Sequence, residues 1–105
     1  MPSGKGYLEY ILEQLSDLEE IRYRAMMGEY ILYYRDRIVG GIYDDRLLVK
    51  PVEAARRLLT GAPEELPYEG AKPMLLVEET DNRELLEKLF REMYDELPET
   101  KKKKR

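Results

Sequence analysis

Residues 26–50 read MMGEYILYYRDRIVGGIYDDRLLVK. Apolar and aromatic side chains fill positions 30–34, 38–43 and 47–49, and the polar triplets Arg35-Asp36-Arg37 and Asp44-Asp45-Arg46 fall between them. This spacing predicts three short antiparallel strands joined by two tight turns. Side chains two apart share one side of a sheet, so Leu32, Tyr34, Ile38, Gly40, Ile42, Leu47 and Val49 are expected on a core face. The other face would show Glu29, Ile31, Tyr33, Val39, Gly41, Tyr43, Leu48 and Lys50. That set is too apolar for full solvent exposure, so a helix or a second subunit should cover part of it. Gly40-Gly41 lies mid-strand, where glycine costs about 0.5–1 kcal/mol, which implies that a helix or a neighbouring tyrosine ring packs closely over the strand, or that a partner backbone or ligand approaches the sheet there.

Outward from this ribbon the chain reads as helices and one further strand pair. Ser3 stands where a helix cap belongs, and Tyr7, Leu8, Ile11, Leu12, Leu15 and Leu18 follow at helical spacing, with Glu9, Glu13, Asp17 and Glu20 on the opposite side. Ile21, Tyr23 and Ala25 alternate with Arg22 and Arg24 as a half-buried strand leading into the ribbon. Pro51 suits the first turn of a second helix with Val52, Ala55, Leu58 and Leu59 on its stripe, ended by Gly61 and Pro63. Residues 66–69 and 74–78 form the second strand pair around a turn at 70–73. Asp81, with Glu84 three residues on, suits a capping box opening a last helix on Leu85, Leu86, Leu89, Phe90 and Met93, closed by Pro98. The expected fold is α+β: two layers, an antiparallel sheet of about five to six strands backed by helices, in the order helix, three or four strands, helix, two strands, helix. Residues 1–98 make one domain, and residues 99–105 a disordered basic tail.

Composition narrows function more by exclusion than by indication. The chain is 43% hydrophobic and 38% charged, with neither cysteine nor histidine, which removes disulfides, thiolate or imidazole zinc sites, thiol nucleophiles and the usual neutral-pH proton shuttle. No apolar run reaches the ~20 residues of a membrane span and the first residues lack a signal-peptide core, so a cytoplasmic location is expected. The net charge is −4, and since Lys101, Lys102, Lys103, Lys104 and Arg105 carry +5, residues 1–100 carry −9. The carboxylate pairs Asp44-Asp45 and Glu78-Glu79 are read as turn and strand-end residues, because neighbours in a strand point apart; no metal or other cofactor is called. Nine tyrosines interleave with Arg22, Arg24, Arg35 and Arg37, a pattern that suits single-stranded nucleic acid but suits cross-strand packing better, since an acidic body opposes the counterion release that drives such binding. The tail Lys101–Arg105 is the candidate contact for an anionic partner, against its reading as a solvated end.

Arg24, Met26, Gly28, Tyr30, Leu32-Tyr33-Tyr34, Asp44-Asp45-Arg46-Leu47 and Val49-Lys50 occur in an order and spacing that resembles the TfoX N-terminal domain family, and Tyr68-Glu69-Gly70 and Lys72-Pro73-Met74 continue the pattern. The resemblance covers residues 5–97. It departs where the family's Met-Phe-Gly-Gly becomes Met26-Met27-Gly28-Glu29, and where a turn glycine becomes Asp36. It implies a fold similar to the secretion-chaperone-like folds, a role in regulating competence genes, and no enzymatic activity. The expectation is a stand-alone TfoX-like domain without the helical C-terminal domain of the full-length regulators. Arg24, Glu29, Tyr33, Arg35, Arg37, Gly41, Tyr43 and Lys50 are the candidate interaction surface for a protein partner or a second copy, through the ribbon's outer face or a free edge. The alternative is a nucleic-acid-associated accessory protein; no membrane or small-molecule substrate is inferred.

Overall fold

The computed structural model describes residues 4–98, so Ser3 and the basic run at 101–105 lie outside the described residues. Six antiparallel strands form one sheet in the order β1-β2-β3-β4-β6-β5: β1 (Ile21–Met26), β2 (Glu29–Tyr34), β3 (Arg37–Tyr43), β4 (Arg46–Val49), β5 (Glu64–Glu65) and β6 (Met74–Leu76). Three α-helices, α1 (Lys5–Gln14), α2 (Glu53–Leu58) and α3 (Arg83–Met93), complete the α+β architecture.

Two-residue turns join the first four strands. Met27-Gly28, Arg35-Asp36 and Asp44-Asp45 all have positive φ at both central positions, the sign pattern of type I′ turns, whose twist matches that of paired strands. Five of those six residues are not glycine, and aspartate tolerates the left-handed region better than most residues.

The helices pack on one side of the sheet. Leu8, Ile11, Leu15, Ala54, Ala55, Leu86, Leu89, Phe90 and Met93 form one buried cluster with Leu32, Tyr34, Val39, Ile42, Leu47, Val49 and Leu75. Here the strict alternation expected of the ribbon fails. Leu32 pairs with Gly40 and Tyr33 with Ile38, so Val39 is an extra residue in β3. This bulge turns Val39 into the core and moves Ile38, expected there, to the outer face beside Tyr33. It also places Arg37 on the helix side, opposite Tyr34.

Several boundaries differ from expectation for local reasons. Gly4 occupies the cap position of α1 without a side-chain hydrogen bond. Pro51 lies ahead of α2, whose cap position is Val52. A carboxylate oxygen of Glu96 accepts from the Ala54 amide at 2.8 Å, so that helix start is satisfied from across the fold. The partner of β6 is Glu64–Glu65 and not residues 66–69, which belong to a loop; Arg56 and Arg46 bind the two glutamates at 2.8 and 2.6 Å. In α3 the cap is Asn82, which accepts from the Leu85 amide at 3.1 Å, so Asp81 and Glu84 make no capping box, and Leu85 is only half-buried. Gln14 Nε2 donates to the Thr80 carbonyl at 3.0 Å, tying α1 to the entry of α3.

Candidate functional site

The side of the sheet away from the helices carries the candidate surface. Strand register puts Arg22, Tyr33 and Ile38 in one cross-strand row, and Arg24, Ile31, Gly41, Leu48 and Leu76 in the next. Ile31, Tyr33 and Ile38 are half-buried, whereas Arg22 and Arg24 are exposed on β1, which among the described residues is an edge strand with no neighbour beyond it.

Toward β4 the same face is closed by the chain itself. Leu48 and Tyr43 are buried but stand apart from the helix-side cluster. A Cβ on Gly41 would lie 2.6 Å from Cε2 of Tyr43 and 2.6 Å from the Tyr30 carbonyl oxygen, so the missing side chain lets the Tyr43 ring lie against its own strand. A Cβ on Gly40 would lie 2.1 Å from the Leu48 carbonyl oxygen, a close backbone approach at the bulge. Gly41 thus supplies the space expected for a tyrosine ring, whereas Gly40 is crowded by the backbone of the adjacent strand β4. Residues 66–73 arch over this region. The Tyr68 ring sits 6.2 Å from that of Tyr43, and Arg46 anchors the start of the loop by donating to Glu65 Oε1 at 2.6 Å and to the Leu66 carbonyl at 3.3 Å. Between loop and strands lies a cleft of about 480 Å³ with Lys50 and Lys72 on its walls. Burial, followed by the nearby Tyr68 and Glu29, raises the pKa of Tyr43 above its ordinary value.

Of the eight residues expected to form one surface, Arg24, Tyr33, Gly41 and Tyr43 share the outer face, and Lys50 stands at the cleft. Glu29 is on that face near the hairpin ends, where its Oε1 accepts from the Asp44 amide at 3.1 Å. The two remaining arginines leave the face. Arg35 sits in the β2–β3 turn, 3.7 Å from Glu20 and 4.7 Å from the Tyr94 ring centroid. Arg37 is turned by the bulge onto the end of α3, where it donates to the Tyr94 and Leu97 carbonyls at 2.9 and 3.3 Å. This division also breaks up the arginine and tyrosine track of the nucleic-acid alternative: Tyr34 is in the core, and Arg35 and Arg37 turn toward Tyr94, away from the face that carries Tyr33 and Tyr43. Ile38, Tyr68 and Lys72 belong to the site and were not anticipated. The bulge has no sequence signature, although Tyr68 and Lys72 fall within the quoted family motifs.

Asp44 and Asp45 occupy a hairpin turn, where Asp45 Oδ1 accepts from the Gly4 amide at 2.9 Å. Among the described residues no three of Asp, Glu, His and Cys converge in a way that would hold a metal ion. No helix among them is long and apolar enough to cross a membrane.

The sequence is 33% identical over 72 residues to the "Uncharacterized 12.7 kDa protein in trpE 5'region" of Spirochaeta aurantia, a match covering 69% of this chain and 63% of that protein. No solved structure matches the chain. The family model of the TfoX N-terminal domain matches residues 13–97, a span that runs from the end of α1 through every strand to Leu97 and contains both the outer face and the cleft. The chain belongs to the TfoX N-terminal domain family.

Proposed function

We propose that this chain is a non-catalytic protein-interaction domain, serving transcriptional or competence regulation, that engages a partner protein through the outer face of its sheet. The observation that carries this reading is the strip of Ile31, Tyr33 and Ile38. These side chains are half-buried without a helix over them, and the strip runs out to the arginines of the free edge strand β1. Apolar side chains rimmed by charge are a common mark of protein recognition.

A partner of different sequence fits β1 better than a second copy does. In two-fold antiparallel pairing of β1 with itself, helices on one side, a register centred on Tyr23 sets Arg22 opposite Arg24, and one centred on Arg24 sets that arginine opposite itself. Like charges directly opposite are destabilising, and charged edge strands guard against self-pairing.

Co-purification from the native host with mass spectrometry tests the proposal. A protein retained by the wild type and by Lys88→Glu, on the exposed side of α3, but lost with Tyr33→Asp, is the expected result. Recovery of RNA or DNA in place of protein overturns it. Sedimentation velocity is expected to show one chain per particle; a dimer broken by Arg24→Glu overturns the preference for a different partner.

A further inference from the structure

The cleft beneath residues 66–73 stands out electrostatically. Residues 1–100 carry −9, yet among the described residues Lys50 and Lys72 are the only charged ones lining it. Several arginines elsewhere are matched to carboxylates, as in Arg46 with Glu65, Arg56 with Glu64 and Arg57 with Glu92. Neither lysine side chain makes an ion pair or hydrogen bond with any described residue. The remaining walls are apolar or aromatic: Ile38, Pro51, Pro67, Pro73 and Met74, with the tilted rings of Tyr43 and Tyr68. The Tyr43 hydroxyl has no hydrogen-bond partner among the described residues and remains a donor at neutral pH. Its volume falls within the range of ligand-binding clefts, and aromatic and proline walls suit an extended or polyproline-like segment.

We propose that this cleft receives an extended acidic segment of the partner protein, with an apolar side chain packing against the exposed Tyr68 ring beside Tyr43 and flanking carboxylates meeting Lys50 and Lys72. The proposal rests on the protein-interaction reading of the outer face, with which the cleft is continuous through Ile38 and Tyr43. Charge complementarity selects the acidic character of the occupant. Continuity with the Ile31 and Tyr33 strip selects a peptide over a free small acid.

The test is an amide NMR titration of the full chain with the synthetic peptide EEPLEEPLE and its counterpart KKPLKKPLK. The acidic peptide alone is expected to shift the amides of Tyr43, Lys50, Tyr68 and Lys72. The doubly substituted Lys50→Glu, Lys72→Glu chain should bind it at least on the order of tenfold more weakly while keeping a wild-type spectrum elsewhere. Tyr68→Ala, at an exposed ring, is a second variant expected to weaken binding without unfolding. Shifts elsewhere, none at all, or equal affinity in the lysine variant overturns the proposal. So does displacement of the peptide by equimolar glutarate, which would assign the cleft to a small acid. In the host co-purification, a partner lost with Tyr33→Asp but kept by the lysine variant removes the cleft proposal alone. No retained protein removes the interaction reading and the cleft proposal together.

Discussion

The guanidinium of Arg37 stacks on the ring of Tyr94, 4.3 Å from its centroid, and its Nη1 donates to the carbonyl oxygen of that same residue at 2.9 Å. A second bond from Nη1 reaches the Leu97 carbonyl at 3.3 Å. The start of β3 is thereby fastened to the chain just beyond α3, where the Tyr94 carbonyl also accepts from the Leu97 amide at 3.2 Å. Arg37→Met keeps most of the stem packing but removes these charge-assisted bonds, and is expected to destabilise by about 2 kcal/mol. Arg37→Lys should recover less than half, because an ammonium cannot stack and fork together. Urea denaturation of the three chains checks this; a loss below about 0.5 kcal/mol for Arg37→Met sinks it.

Gly40→Ala is expected to be the most damaging single-methyl addition in the ribbon, because its Cβ meets a backbone oxygen that cannot move independently of β4. Gly41→Ala meets the Tyr30 carbonyl oxygen as well as the Tyr43 ring. Both should cost about 2–3 kcal/mol or more, with Gly40→Ala the larger. Gly6→Ala, with open space around its Cβ and a place inside α1, should instead stabilise by about 0.5–1 kcal/mol. Thermal melts of the three variants should fall in that order.

Met27 is 96% exposed and sits at φ 54° in the β1–β2 turn. Met27→Asn creates the Asn-Gly pair preferred in type I′ turns and removes an apolar tip from solvent. It is expected to raise the melting temperature, by the equivalent of about 0.5–1 kcal/mol, with the fold unchanged. A lower melting temperature would show that this methionine makes a contact the turn geometry does not require.

Tyr7 and Tyr43 both titrate above their ordinary value of 10.0, in each case chiefly because burial disfavours the phenolate. Their unfolded forms ionise first as pH rises. Proton loss therefore favours the unfolded chain, and this contribution to stability is intact below about pH 10 and lost as pH climbs toward the folded-state values. Chemical denaturation between pH 8 and 12 should show a decline that is shallower in the Tyr7→Phe, Tyr43→Phe chain. Identical pH profiles for the two chains would contradict this.

The ribbon was legible because period-two alternation and paired polar turns are local signals, and Gly40-Gly41 marked a close approach because glycine is otherwise a poor strand residue. What alternation could not carry was its own interruption. Val39, Gly40 and Ile38 look interchangeable in a sequence, yet one extra residue moved Ile38 to the outer face and took Arg37 off the proposed surface. The strand Glu64–Glu65 was equally hidden. Two adjacent glutamates have no apolar pattern, and their place in the sheet depends on β6 pairing and on Arg46 and Arg56, distant in the chain. The Tyr68 loop was misread as a strand for the converse reason: Leu66 and Tyr68 alternate, but Pro67 takes the chain over the sheet instead of along its edge.

The three tight turns also bear on how the chain behaves while it is being made. Each hairpin closes across two residues, whereas the bond from Gln14 to Thr80 spans 66 positions, and short closures form first. During synthesis the four linked strands are made, and begin to emerge from the ribosome, before Leu86, Leu89 and Phe90 can shield them. Until those residues arrive, the nascent ribbon has only α1 against its greasy side, and a ribosome stalled before residue 83 would display a sticky, half-finished product of the kind that chaperones hold.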